Sequence, residues 1–270
     1  FSLGSATNMN YSNGDNIVAW NWKANGQGSS NTDGSINTTY TSANTTSGFS
    51  ISTYVGTGGA ATIGHGLGAI PQVILVKNVT SVEHWVMYHH KSHATPEDNY
   101  LRLNSSNAVA DFDMWNDTAP TNQVFSISNN GSVGASGDTY VAYCFTNKKG
   151  FFHSGTYTGT GSTSSTPFVY TGFKPSLLIV KRTDSSAHWQ MTDNKISFNG
   201  VGSYGSNFLS PSQNNAEGNG YGFMLHSNGF SFHGSDSASA TVNGSGASYI
   251  YLAWASEPLV SSNGVPATAR

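Results

Sequence analysis

The densest cluster of side chains able to do chemistry is His89-His90-Lys91-Ser92-His93. Imidazole is a good ligand for zinc or nickel, and His90 and His93 can share a loop. Three features argue against a metal centre. No cysteine lies nearby, the second half of the chain has no matching run, and a strand end points His89 and His90 to opposite sides. No metal and no other cofactor is expected. The single cysteine, Cys144, sits in the alternating run Thr139–Phe145 and reads as a small buried hydrophobe, since a nucleophile would need a basic partner. The acids gather as Glu97-Asp98 and as Asp111, Asp113 and Asp117, all among turn-forming residues. A glycoside hydrolase needs two facing carboxylates roughly 5–9.5 Å apart, whereas these acids read as solvated loop charges. Gly-x-Ser-x-Gly does not occur, and Gly56-Thr57-Gly58-Gly59 lacks the lysine of a phosphate-binding loop. The expectation is a protein that is not an enzyme. The alternative is a carbohydrate-active enzyme or a lectin-like carbohydrate-binding module.

Aromatic rings are the remaining lead to a ligand, because Trp and Tyr stack on the apolar faces of sugars. Trp85 follows His84 just as Trp189 follows His188. Trp115, in the loop-like run Trp115-Asn116-Asp117-Thr118-Ala119-Pro120, has no counterpart later in the chain and is expected to be displayed. The ligand-binding candidates are therefore Trp115, Trp85, His89 and His90. Their ligand would be a cell-surface glycan, met by rings and amides rather than by charge.

These residues need a scaffold, and the composition limits its kind. Nearly half of the 270 residues are Gly, Ser, Thr or Asn, while 14 Phe, 13 Tyr and 6 Trp provide enough hydrophobe for a core. Good helix formers are scarce and β-branched, aromatic and turn residues abound, so the fold class is all-β. With 11 basic and 14 acidic side chains and a net charge of −3, no basic cluster exists to neutralise nucleic-acid phosphates. No apolar run approaches the roughly 20 residues that span a bilayer. The chain is expected to be soluble, with neither nucleic acid nor a membrane as partner.

The chain also repeats itself. Gly48-Phe49-Ser50-Ile51-Ser52-Thr53-Tyr54 returns around Phe152–Tyr157, Ile70–Asn78 returns as Lys174–Arg182, and His84-Trp85 returns as His188-Trp189. The closing block Gly137–Phe145 returns as Gly246–Trp254. A third closing block, Gly14–Trp22, precedes both. The organisation expected is the C-terminal hairpin of an upstream repeat at 1–26 and a Gly/Ser/Thr/Asn linker or extended loop at 27–47. Two tandem homologous β-sandwich units, jelly-roll-like, follow at 48–150 and 151–259, with a tail at 260–270. Asn130-Gly131, Ser136-Gly137-Asp138, Ser227-Asn228-Gly229 and Gly244-Ser245-Gly246 supply the turns. Val73–Val76 and Leu177–Val180 are continuous apolar runs, as in strands covered on both faces. The start at Phe1, without Met or signal peptide, suggests processing or a longer parent chain.

Several blocks together carry a family resemblance: Val18-Ala19-Trp20-Asn21-Trp22-Lys23-Ala24, Gly64-His65-Gly66-Leu67-Gly68, Trp115–Pro120, Gly172-Phe173-Lys174-Pro175, Lys181-Arg182-Thr183-Asp184 and Tyr249–Trp254. They resemble an uncharacterised repeat domain common in virion proteins of tailed bacteriophages, especially phages of marine bacteria. The likeness covers nearly the whole chain, including the tail, so the natural C-terminus is expected to be present. It implies a structural virion protein, a tail fibre or capsid-fibre component in the extracellular particle. Its implied partners are other virion subunits and further copies of itself, with a trimer favoured. The family offers no catalytic residues to carry over.

Overall fold

In the run Thr139–Phe145 every second side chain points the same way. Tyr140, Ala142 and Cys144 are fully buried on one face, while Val141, Tyr143 and Phe145 form the other. Both faces are apolar, so both must be covered. The computed structural model, which describes residues 18–195, 206–233 and 239–255, shows how.

Among the described residues the first half runs through β1 (Tyr40–Asn44), β2 (Phe49–Val55), β3 (Ala61–Gly64), β4 (Val73–Asn78), β5 (Val86–His89), β6 (Asn99–Arg102), β7 (Ala110–Asp111), β8 (Val124–Ile127) and β9 (Thr139–Phe145). The second half runs through β10 (Phe152–Thr158), β11 (Val169–Tyr170), β12 (Pro175–Arg182), β13 (Gln190–Asp193), β14 (Ser206–Phe208), β15 (Gly218–Gly220), β16 (Phe223–His226), β17 (Gly229–Phe232) and β18 (Ser248–Ala255). The larger sheets have the orders β1-β2-β9-β4-β5-β6-β7 and β10-β18-β12-β13. Each is antiparallel, and β14–β15 continues the second through the Met191–Leu209 bridge. The order β2-β9-β4-β5 in one half is the order β10-β18-β12-β13 in the other. Val76 pairs with Ala142 and Val86, and Val180 pairs with Tyr251 and Gln190.

Three apolar layers separate four layers of strands. Tyr54, Ile74, Val76, Tyr140 and Cys144 meet Ile63, Phe125 and Ile127 of the β3–β8 pair. Tyr157, Leu178, Val180, Tyr249 and Tyr251 meet Phe223, Phe230 and Phe232 of the β11-β17-β16 sheet. A middle layer joins the outer faces of the two larger sheets, with Phe49, Val73, Met87 and Phe145 against Phe152, Leu177, Met191 and Leu252. Each half thus keeps its own sandwich core, and a seam makes the two continuous. The apolar runs of β4 and β12 are covered on both sides, as their composition predicts.

The loops that close each sandwich are latched alike. Tyr54 stacks on Tyr140 at 5.2 Å and Tyr157 on Tyr249 at 4.9 Å. Tyr54 donates to the Val133 carbonyl at 2.8 Å, and Tyr157 to that of Val242 at 2.6 Å. The Tyr140 hydroxyl donates to the Gly131 carbonyl and accepts from the Ala135 amide, both at 2.9 Å. Tyr249 does the same between the Ala240 carbonyl at 2.6 Å and the Gly244 amide at 2.8 Å. Gly56 and Gly159 run so close to these loops that a Cβ would collide with the carbonyls of Ala135 and Gly244.

One expectation needs correcting, and two fall partly or wholly outside the structure described. Residues 27–47 are not a linker: Tyr40–Asn44 forms β1 against β2, Ile36 is buried, and Thr41 hydrogen-bonds Ser52 at 2.9 Å. Hydroxyl and amide side chains there satisfy a buried edge, so polarity does not mean exposure. Of the upstream hairpin, 1–17 lie outside the described residues, as does the tail 260–270. Residues 18–24 form no strand.

Because the Tyr140 and Tyr249 hydroxyls each serve a backbone amide and a carbonyl, with Asn78 Nδ2 also donating to Tyr140 at 3.2 Å, Tyr140→Phe and Tyr249→Phe should each cost about 1–3 kcal/mol. Chemical denaturation of the two variants checks this, and unequal losses would show that the latches are not energetically alike.

Candidate functional site

Two cavities open at the seam between the two larger sheets. Residues 18–24 cross its open end, and a cavity of about 480 Å³ lies on either side of them. Trp20, Trp22, Phe49, Phe145 and Trp254 line both. The deeper-reaching groove adds Trp85, Leu75, Ile51 and Leu103. Trp85 stacks on Tyr143 with centroids 6.2 Å apart, and Trp20 donates its indole N–H to Asp193 at 3.0 Å. Among the described residues, no Asp or Glu lines either cavity, nor a smaller one of about 240 Å³ beside His188 and Tyr221. Such an apolar, ring-lined groove has the chemistry to hold flat apolar surface or the face of a sugar.

Polar contacts across the seam run mostly through backbone. Arg102 offers its carbonyl to the Trp189 indole N–H at 2.8 Å, and Ser106 its carbonyl to the Ala187 amide at 2.9 Å. Val109 donates its amide to the Thr183 carbonyl at 3.0 Å. His89 Nε2 donates to the Tyr251 carbonyl at 3.4 Å, while Nδ1 accepts from the Lys91 amide at 3.2 Å. That pairing needs the neutral imidazole, and burial, reinforced by neighbouring His90, pushes His89 down to about 3. Burial also lowers His90, which reaches the Ser154 carbonyl, and His153, whose Nδ1 meets the Tyr251 hydroxyl at 2.8 Å.

The structure separates the four ligand-binding candidates. Trp115 is not displayed: it is 2 % exposed, packs edge-on against Tyr88 and donates its indole N–H to the Asn99 carbonyl. Its loop turns through positive φ at Asn116 and Asp117, which folds the ring inward under β6. His89 is likewise fully buried, so neither residue can meet a ligand in the folded state. His90 is half-buried against the second half. Trp85, half-buried, is the one candidate in the groove. His93 pairs with Thr95 and Asn99 instead, and among the described residues no three His, Cys, Asp or Glu come together around a metal position. Cys144 is fully buried with its thiol pushed up to about 12, mainly by desolvation. Trp20, Trp22, Tyr143 and Trp254, all carried by the closing blocks and not among the candidates, build the groove. The recurrence of an aromatic at the end of each closing block is the signal that marks them.

The profile of DUF7483, described as a domain of unknown function, matches residues 1–258. No curated protein and no solved structure matches the chain.

A buried histidine with a lowered folded value contributes stability above its unfolded value of 6.5, and loses it as pH falls toward about 3. Between pH 7.5 and pH 5 the His89 site should therefore cost about 2 kcal/mol of folding free energy. Urea midpoints at the two pH values measure the loss. His89→Gln should flatten the dependence; an unchanged slope would refute the assignment to His89.

Proposed function

The chain belongs to the DUF7483 family, and we propose that this member is a non-enzymatic structural component of a bacteriophage virion, a tail fibre or capsid fibre. The observation that carries the reading is the construction itself. One β-sandwich repeats with a common strand order, and its copies are welded face to face by a continuous apolar layer. That is how a chain builds length and stiffness from a single unit. The resemblance of its motifs to phage virion repeats supplies the particle. The hydroxyl- and amide-rich composition with few charges suits an extracellular appendage.

Partners in this reading are other virion subunits and further copies of the chain, since among the described residues β1 and β7 are the edge strands of the larger sheet, the outer edge of β1 meeting the Ser29–Thr41 bridge. A host-surface glycan is a second partner, for which Phe112, Phe168 and Tyr170 are rings open to solvent. The carbohydrate-active enzyme is the weaker reading, because the cavities described are lined by rings and methyl groups rather than by facing carboxylates.

Proteomics and immunogold labelling of purified particles of the encoding phage test the proposal. The chain should co-purify in multiple copies and label an appendage; its absence from the particle would overturn the reading. Light scattering of the isolated chain at micromolar concentration should give an oligomer mass, and a clean monomer would remove the self-association part.

A further inference from the structure

Contacts between the two halves run in one direction, and they recur at a second boundary. His89, the last residue of β5, reaches across the seam to the closing strand β18 of the next half, at the Tyr251 carbonyl. Asp193 is the last residue of β13 and occupies the same register: His89 pairs with Val73 and Asp193 with Leu177. Asp193 reaches onward to Trp20, which belongs to the third closing block, Gly14–Trp22. The first half leans on the second, and the second leans on residues 18–24.

The final residues of the three closing blocks meet at one point. Trp22, Phe145 and Trp254 have ring centroids 6.0, 5.4 and 5.4 Å apart, a nearly equilateral triangle. Phe49 lies 6.4 Å from Trp22 as Phe152 lies 5.2 Å from Phe145, so two of the three rings, Trp22 and Phe145, also touch the opening strand of the following unit. This is approximate threefold symmetry written in one chain.

Among the described residues, one side of the triangle is less covered than the others. On the second half, Trp189 is fully buried with its indole N–H on the Arg102 carbonyl, while Ile179 and Leu252 are buried at the wall of the groove. Their counterparts on the first half are Trp85, Leu75 and Tyr143. All three are only half-buried, and the Trp85 indole N–H has no acceptor among the described residues. They line the groove of about 480 Å³.

We infer that this groove is the seat of a third copy of the repeat unit, carried ahead of residues 18–24 on the same polypeptide and closing a ring of three sandwiches around Trp22, Phe145 and Trp254. The occupant is identified by what is already seated: the closing residues of a third block hold the third corner. A second copy of this chain would first have to displace the chain's own Trp22. In the closed ring the third copy presents to Trp85 the carbonyl that Arg102 presents to Trp189. The inference does not rest on the virion reading, and the two tests fail separately.

The 270-residue chain should be compared with a chain in which a copy of residues 48–136 replaces 1–13 ahead of Gly14. The original should bind the apolar dye anilinonaphthalene sulfonate, and the extended chain should lose most of that binding. Small-angle scattering of the extended chain should show three units packed around an axis. Persistent dye binding, or a third unit scattering as a tethered bead, would overturn the inference. So would self-association of the original chain that hides the groove and is released by Leu75→Asp. Should the extended chain fail to fold, the original still decides. Trp22→Ala should speed tryptic cleavage after Lys23 about tenfold without changing cleavage at Lys148 and Lys149, and Trp22→Phe should restore protection. No change at Lys23 would show that the axis does not hold residues 18–24.

Discussion

A sheet with two apolar faces cannot be left at a surface, and that constraint organises this molecule. Strands β9 and β18 carry Tyr, Ala and Cys or Tyr and Ala toward the sandwich core, and Val, Tyr and Phe or Ile, Leu and Trp toward the other side. Each large apolar side chain moved from water into a core is worth roughly 1.5–3 kcal/mol. A sandwich that covered only one face of its larger sheet would leave this gain unrealised along every central strand. Stacking the second unit on the first recovers it, so the seam is a third core rather than a loose domain contact.

Buried polar groups beside such a seam cost free energy unless they find partners, and most do, with Gln190 Oε1 and Trp254 Nε1 among the exceptions. The tyrosine latches answer the amides and carbonyls of the closing loops. Thr38, Thr41 and Ser52 bond one another beneath β1. Lys181, wholly buried, gives its ammonium to the Arg182 carbonyl at 2.6 Å, and desolvation lowers it to about 8. Its counterpart Lys77 makes the same turn onto the Asn78 carbonyl at 2.8 Å. The two halves therefore share hydrogen-bond solutions as well as strand order, and both solutions depend on neutral or fully bonded groups.

In the structural role proposed above, function would lie in surfaces rather than in a catalytic cluster. His65, His89, Cys144, Trp115 and Trp189, side chains with much chemical capacity, are buried in packing, and all but Cys144 bond backbone groups. Among the apolar surfaces that remain is the groove beside Trp85, whose counterpart Trp189 on the second half is covered by the first.

Strand identity, the two apolar faces of the closing strands and the duplication were legible in the sequence, because each is a matter of period two or of direct comparison between blocks. Val73–Val76 could be read as doubly covered without knowing what covered it. The fate of Trp115 could not, since a local turn at Asn116 and Asp117 is compatible with a ring facing water or core, and only Tyr88 and the Asn99 carbonyl decide. Residues 27–47 misled for a related reason: hydroxyls that look solvated in sequence are satisfied by one another once β1 joins β2. The meeting of Trp22, Phe145 and Trp254 was equally hidden. Residues up to 232 positions apart came together through the stacking of sheets, which depends on the shape of both faces at once and is carried by no local pattern.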